Sequence, residues 1–548
     1  MKIIYAFILL VLVISCEESN ENASPTAFEV NLDEVYEGFV KLIWSEAIDP
    51  EGGEVTYEVY LNGISVADHV TDLFFAFNDL DEGTTHTVKI IASDPEGNFT
   101  TTEISFNLSE NHPPSEFTIS VISNNPFNTK IEWTESIDPE GTNVSYSIFL
   151  NDEEIASDLS QLNFNIGVLR GLEEYDLKVE AKDEDGRITP KEIQFTTAIK
   201  IHNGTVDLND QSTVEFFGAQ GYNQINGNLI IGSTNLDTTD VDDISSLSSL
   251  INLNGNLWIM NTICQDLTGL NSMELTANYP QVTIEKNTNL LNLEGLNSIQ
   301  YGHRITIALN DNLQTLEGLD ALQLVTNEIN VVSNASLNTL IHLNVLNSVA
   351  SSINIFNNDS LSNLEGLENI TSLNAITVCC NDNLTSLKGL ENLSQCDGVR
   401  ILDNSNLLNL SDLFGLNQVS FLTISDNPSL TNLSGLENVT QVNHTLEITN
   451  NDGLTSLVGI QNIAFVSDQN YHELIIRQND NLTNLDVLTN YSYDRGKVFI
   501  TENINLTDLC GISNLVLGMT EFLNYFNFAI GNAYNPGIVQ FQNGDCAL

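Results

Sequence analysis

The sequence predicts a chain dominated by β structure, with two antiparallel β-sandwiches followed by a right-handed leucine-rich β-solenoid. Two repeats predict it. Ten times a short β-type run is followed by Asn-x-x-Leu, at Asn287, Asn310, Asn334, Asn358, Asn381, Asn404, Asn427, Asn451, Asn479 and Asn503, spaced 23 or 24 residues apart almost throughout. No single coil of that length buries its own apolar face, so successive coils must stack. Upstream, one unit is written twice, Trp44, Asp49, Tyr57 and Asp94 returning 89 residues later as Trp133, Asp138, Tyr146 and Asp183. Its alternating runs, with turn signals every ten or so residues and no helical spacing, predict seven-stranded antiparallel sandwiches.

The elements follow in chain order. Residues 1–16 hold Lys2, an apolar run from Ile3 to Ile14, and Ser15-Cys16. The run is too short to span a bilayer and reads as an export signal. A small residue directly before cysteine resembles the lipobox read by lipoprotein signal peptidase, which implies that Cys16 becomes a diacylated N-terminus anchored in a membrane. The alternative is an ordinary signal peptide with a chance cysteine. Residues 17–24, opening Glu17-Glu18-Ser19-Asn20-Glu21, read as an acidic tether. This tract also resembles the acidic stretch that, in some Gram-negative lineages, follows the lipidated cysteine of surface-exported lipoproteins.

Residues 25–108 and 109–198 are the two sandwiches. Strand-like runs such as Lys41-Leu42-Ile43-Trp44 and Val55-Thr56-Tyr57-Glu58-Val59-Tyr60 carry a tryptophan on the second strand and an aromatic on the third. With Leu172 and Tyr175 placed like a tyrosine corner, this resembles fibronectin type III domains. His86 stands where the first copy needs that tyrosine, a departure from the pattern. The linker Ser109-Glu110-Asn111-His112-Pro113-Pro114 predicts a stiff joint.

Each copy writes two acidic turns: Asp49-Pro50-Glu51-Gly52 with Asp94-Pro95-Glu96-Gly97, and Asp138-Pro139-Glu140-Gly141 with Asp183-Glu184-Asp185-Gly186. In such a sandwich these loops share one end. Two readings stand: the carboxylates converge on Ca²⁺, a hard ion that takes oxygen ligands, or Asp-Pro and Glu-Gly simply make good turns with solvated carboxylates.

Residues 199–226 read as a solenoid cap, 227–515 as the solenoid and 516–548 as the second cap. In strands such as Ile353-Asn354-Ile355 and Leu446-Glu447-Ile448, first and third positions point inward and the second outward. The asparagines follow where the chain turns with its backbone cut off from water, and form a structural ladder. Gly-Leu pairs, as in Leu387-Lys388-Gly389-Leu390, close each coil. This pattern looks like leucine-rich repeats, and more closely like the right-handed β-helical L domain of receptor tyrosine kinase ectodomains. Counting Leu229-Ile230-Ile231 and Leu257-Trp258-Ile259 as earlier rungs gives about twelve strands, roughly 55 Å of sheet.

Of six remaining cysteines, Cys264 takes an inward leucine position and reads as a buried hydrophobe. Cys510 with Cys546 would staple the terminal cap, and a bridge from Cys379 or Cys380 to Cys396 stays open. No Cys/His spacing reads as a zinc site.

The chain carries 74 acidic residues against 17 Lys plus Arg, a formal charge of −57, so the reading has no nucleic-acid partner. Candidate binding residues lie on the outward face of the sheet. Ala308, Val332, Phe356, Cys379 and Leu402 fall in one column, an apolar stripe that either packs beneath a neighbouring segment or forms an adhesive patch. Arg400, Arg477 and Phe499 add a mixed surface further along. Some polysaccharide lyases are β-helices with a basic residue as base. Here Arg400 and Arg477 lie three rungs apart, roughly 14 Å, and no hydrolase elbow, zinc-protease motif or phosphate loop is present.

The reading is therefore a non-enzymatic, lipid-anchored surface protein of the outer membrane. It binds an extracellular protein or glycan; no cofactor is certain, and Ca²⁺ at the acidic turns is the one candidate. Its alternatives are an accessory glycan-capture subunit of an outer-membrane assembly and a structural surface-layer element.

Overall fold

The computed structural model describes residues 22–36, 38–235, 238–465, 472–491, 496–518 and 528–548. Cys16, the signal segment, the tether up to Glu21, Arg495 and residues 519–527 of the terminal cap lie outside the described residues. Two compact units emerge: Met1–Asn124, Thr129–Ile166 and Glu174–Thr196 form one, and Asn125–Asn128, Gly167–Glu173 and Thr197–Leu548 the other.

The first unit holds both sandwiches, each of three strands against four. In copy one, Val30–Tyr36, Phe39–Trp44 and Phe74–Phe77 face Ile64–Val70, Thr56–Leu61, Thr85–Ser93 and Phe99–Asn107. Copy two repeats the arrangement, with Asn163–Gly167, Thr129–Trp133 and Ile119–Ser123 facing Glu153–Leu159, Ser145–Leu150, Glu174–Lys182 and Ile188–Thr196. The strand pairs of copy one, those of the four-stranded sheet of copy two, and Ile119–Ser123 with Thr129–Trp133 are antiparallel. The repeat extends to single hydrogen bonds. Tyr57 Oη accepts from Ala47 N and Tyr146 Oη from Ser136 N, both at 2.8 Å. Trp44 and Trp133 rest on those tyrosines with ring centroids 5.5 and 5.4 Å apart.

His86 performs the corner task. Buried at 4% exposure, it donates from Nε2 to the Asp81 carbonyl at 2.9 Å, while Nδ1 accepts from Asn62 Nδ2 at 3.3 Å. An imidazole N–H thus replaces a phenol O–H in tying the chain to a carbonyl upstream. The joint between the copies is pinned by Glu82, whose Oε2 accepts from Asn111 N at 3.3 Å and faces Arg187 Nη2 at 3.4 Å.

The second unit is the solenoid. Its main sheet is parallel and 16-stranded, running from Val206–Leu208 to Ala529–Ile530; the caps add two strands to the twelve expected, and the short side strands Ser348–Val349 and Ala464–Phe465 make up the rest. A smaller parallel sheet, Ile201–Asn203, Gln224–Asn226, Asn252–Leu253 and Glu274–Leu275, flanks its first rungs. From Tyr301–Ala308 onward many rungs carry both segments as one bent strand, as in Ser372–Cys379 and Gln395–Leu402. Sequence patterning caught only the second segment of these strands. The first is anchored by single buried residues, Leu373, Cys396, Val419 and Val442.

Leucines from every coil fill one continuous core. The ten ladder asparagines are fully buried. At Asn381, Nδ2 donates to Ile355 O at 3.2 Å, Cys379 O at 2.9 Å and Asn404 Oδ1 at 3.2 Å, while Oδ1 accepts from Asn358 N at 2.9 Å. The residue before each asparagine is left-handed, from Lys286 at φ 58° to Glu502 at φ 62°, which swings the amide inward. No residue type marks those positions in the sequence.

Two corner designs close the coils. Where the sequence reads Leu-x-Gly-Leu, as at Gly389, φ is +111° and a Cβ would stand 2.0 Å from the Leu364 carbonyl, so only glycine fits. Where that glycine is missing, at Ser245–Leu247, Ile341–Leu343, Ser411–Leu413 and Asp486–Leu488, the corner tightens into a 3₁₀ turn.

Candidate functional site

Three places on the described molecule gather the chemistry that the sequence singles out: the outer sheet face, the bend of the strands and the acidic turns.

On the sheet face the apolar column is real. Ala308 pairs with Val332, Val332 with Phe356, Phe356 with Cys379 and Cys379 with Leu402, each in register across five rungs. Ala308 is buried and the other four are half-buried, each shielded in part by the rung beside it. Phe499 is half-buried and paired with Ile475, an apolar neighbour that the sequence reading passed over. Trp258 points outward, half-exposed, and is not core. Arg477 is engaged with its neighbour, Nε and Nη2 lying 3.0 and 2.9 Å from Glu502 Oε2.

Arg400 differs. Among the described solenoid residues from 227 to 515, Lys286, Arg304, Lys388, Arg477 and Lys497 each have a carboxylate within ion-pair reach, whereas Arg400 has none. Its Nη1 lies 3.7 Å from where a Cβ on Gly398 would stand, so the guanidinium leans over that glycine toward the bend of the strand.

At that bend lies a groove of about 520 Å³, bordered by Ser348, Asn374, Gln395, Asp397, Gln418 and Asn443. Its floor is apolar and buried, from Val349, Leu373, Cys396 and Val419. Asn443 Nδ2 donates to Ser420 Oγ at 3.2 Å, and Ser420 Oγ donates to Asp397 Oδ1. The side-chain amides of Asn374, Gln395 and Gln418 hold no hydrogen bond among the described residues. Beside Ser420, Phe421 stacks on His444 with centroids 5.0 Å apart and planes at 23°, and keeps 38% of its surface exposed. A signal for this stretch was present as Gln395, Gln418 and Gln441 at a spacing of 23 residues, four or five residues before the strands expected; the first two border the groove.

The acidic turns lie close together but use their aspartates internally. In copy one, the position of a Cβ on Gly53 is 2.3 Å from Asp49 Oδ2 and 2.9 Å from Pro95 Cδ, so the two turns touch. Asp49 accepts from Glu51 N at 3.0 Å and Gly53 N at 2.6 Å, and Asp94 from Glu96 N at 3.0 Å and Asn98 N at 2.8 Å. Asp138 binds Glu140 N and Thr142 N, and Asp183 binds Arg187 N, in the same manner. The Glu51 N–H and its companions hold the Asp49 carboxyl below its ordinary value, against burial. At Asp138, burial pushes upward and the bonds from Thr142 and Glu140 outweigh it. Glu140 is taken by His112, whose Nδ1 lies 2.8 Å from Oε1. Glu96 and Asp185 stay exposed. Among the described residues no three His, Cys, Asp or Glu side chains come together as metal ligands.

The cysteines sort differently from one expectation. Cys510 and Cys546 are bridged, as expected of the terminal cap, and Cys264 is a buried thiol pushed up to about 11 by desolvation. Cys379 and Cys380 pair with each other rather than with Cys396. The Cys396 side chain points into the core, where burial pushes its thiol up to about 12. Lys200, unremarked in the sequence, is buried in the cap, its Nζ donating to Leu169 O at 2.9 Å and Gln220 O at 2.6 Å above the rings of Phe127 and Tyr222. These bonds help gather residues 125–128 and 167–173, assigned by sequence to the second sandwich, into the solenoid unit.

Among known proteins, the receptor L domain family matches residues 413–516. Solved structures with a likeness include the fibronectin(III)-like modules of CbhA from Clostridium thermocellum, at 14% identity and a TM-score of 0.20, covering 31% of this chain and 94% of theirs. The central fibronectin-III array of RIM-binding protein gives 16% and 0.14, covering 33% and 71%. The FN1–FN3 domains of chicken CNTN1 give 15% and 0.19, covering 32% and 68%. No curated protein matches the chain by sequence.

Proposed function

We propose that this chain is a non-enzymatic, lipid-anchored binding protein of the cell surface, with the solenoid as its recognition module and the sandwiches as its stalk. The in-register column from Ala308 to Leu402 carries the reading. From Val332 to Leu402 it offers about 14 Å of continuous, half-exposed apolar surface on a face that stacked coils hold rigid. A rigid face loses little freedom on binding, so contact area is converted to affinity efficiently. The receptor L domain match over 413–516 supports a recognition role for the solenoid. Catalysis is a poorer account of the basic residues, because Arg477 is neutralised by Glu502 and stands three rungs from Arg400.

Anchoring rests on Cys16 and surface exposure on the acidic tether after it. Calcium enters the proposal through Glu96 and Asp185, which keep free carboxylates beside the aspartates of the turns. Calcium titration of the purified chain is expected to raise the melting temperature of the sandwich unit, and an unchanged melt leaves those turns as backbone caps alone. The deciding experiment is protease treatment of intact cells expressing the wild type or Cys16→Ala. Cleavage of the wild type on whole cells, with the variant released to the soluble fraction, is the expected result. A protected wild type moves the protein to the periplasm and favours an internal assembly role, and a variant that stays on membranes removes the lipid anchor.

A further inference from the structure

We infer that the polar groove at the strand bend, flanked by Arg400 and Phe421, is a saccharide-binding site. The inference rests on the recognition reading above and names the ligand class and the place.

Groove volume and lining set the class. About 520 Å³ is the size of a small-ligand site, yet the rim is made of amides, hydroxyls and one carboxylate rather than the apolar walls a hydrophobic ligand requires. Each free amide of Asn374, Gln395 and Gln418 offers a donor and an acceptor, which matches a hydroxyl that must both give and receive. Asp397, held at Oδ1 by Ser420, keeps Oδ2 as a further acceptor. Rungs stand about 4.8 Å apart, comparable to the length of one pyranose ring, so neighbouring rungs address neighbouring sugar units.

Two flanking groups complete the chemistry. Phe421 is exposed on a ring backed by His444, and a flat aromatic face beside hydroxyl-binding groups is what the C–H face of a sugar stacks on. Arg400 has no carboxylate of its own in a chain where acidic residues outnumber basic ones 74 to 17. Its Nη1 lies over Gly398, the residue after Asp397 of the groove, which places the guanidinium at the groove's edge. A planar, five-donor group in that place binds sugar hydroxyls or a uronate carboxylate.

A peptide fits less well. The inner strands of a parallel stack have both backbone edges paired with the rungs before and after, so no free edge remains for strand addition. The lining also lacks separate apolar pockets for side chains.

The test uses the full chain against a panel of immobilised neutral tetrasaccharides and uronate-bearing tetrasaccharides, followed by calorimetric titration of the best binder. Wild-type binding is expected, weakened by roughly tenfold or more in Phe421→Ala and in Arg400→Ala. Melting curves should be unchanged, since both side chains are exposed. Gln418→Ala, at the rim, should weaken it to a smaller extent. Loss in Arg400→Ala restricted to uronate ligands would assign the guanidinium to a carboxylate, and loss across the panel to hydroxyls; both support the site. Binding unchanged in both variants would move the saccharide elsewhere and overturn the proposal. So would a panel without binders, or a peptide that binds and loses affinity in these variants. A protein that ignores every saccharide but still adheres to cells, and loses adhesion in Phe356→Ser, would sink the groove inference while leaving the recognition reading intact.

Discussion

Asn381 condenses the energetics of the solenoid into one side chain. Its amide supplies donors to two carbonyls and to Asn404, and an acceptor to the N–H of Asn358, all shut away from water. Replacing it with aspartate keeps the acceptor and removes both donor protons, leaving Ile355 O and Cys379 O facing a carboxylate. Asn381→Asp is expected to cost about 1–3 kcal/mol, read as a lower chemical-denaturation midpoint of the solenoid; an unchanged midpoint would mean that the ladder is ornamental. The ladder was legible because its chemistry tolerates one residue type, and so its period survives. The groove was not, because Asn374, Asp397, Ser420 and Asn443 keep a 23-residue spacing but share only polarity, not identity, so no single residue type announces the row. Residue type announced the acidic turns, but nothing in a linear sequence says that Asp49 turns back onto its own N–H groups.

At the scale of elements, the joint between the sandwiches is expected to respond to pH through His112 and Glu140. The hydrogen bond from His112 to Glu140 raises the histidine above its ordinary value of 6.5, burial opposing only in part. The folded value lies above the unfolded one, so this tie stabilises fully below about pH 6.5 and is lost as pH rises through the raised value. A proton NMR titration should place the His112 midpoint above the ordinary value of 6.5, and Glu140→Gln should lower it; a His112 midpoint untouched by Glu140→Gln would show the contact to be incidental. The corners of the solenoid obey a simpler rule. A glycine at the third position gives a positive-φ corner, as at Gly389 and Gly459, while serine, histidine, aspartate or valine there gives a 3₁₀ turn; the last coil departs from this, Cys510–Ile512 turning 3₁₀ around Gly511. The bend in the long strands was not readable, since one buried residue per rung anchors its first arm.

Over the whole molecule, a charge of −57 acts against compactness, because like charges are crowded together on folding. Few lysines and arginines are present to offset it. Raising salt from about 10 mM to about 150 mM shortens the screening length from roughly 30 to 8 Å, and the melting temperature is expected to rise; a fall would mean that scattered ion pairs such as Arg477 with Glu502 outweigh the bulk repulsion.

The asparagine ladder has one more property, which concerns length. Each amide addresses only the next rung, and Asn451 N reaches Asn479 Oδ1 at 3.1 Å across a 28-residue interval as readily as Asn427 N reaches Asn451 Oδ1 at 3.0 Å across 24. An interval four residues longer thus leaves the line undisturbed. Cutting out one full period joins asparagine to asparagine, whereas cutting out half a period sets a leucine against an amide. The solenoid can therefore be lengthened or shortened only in whole coils, like a ruler that can be cut only at its marks, and its reach is a discrete quantity that selection can adjust without redesigning any coil.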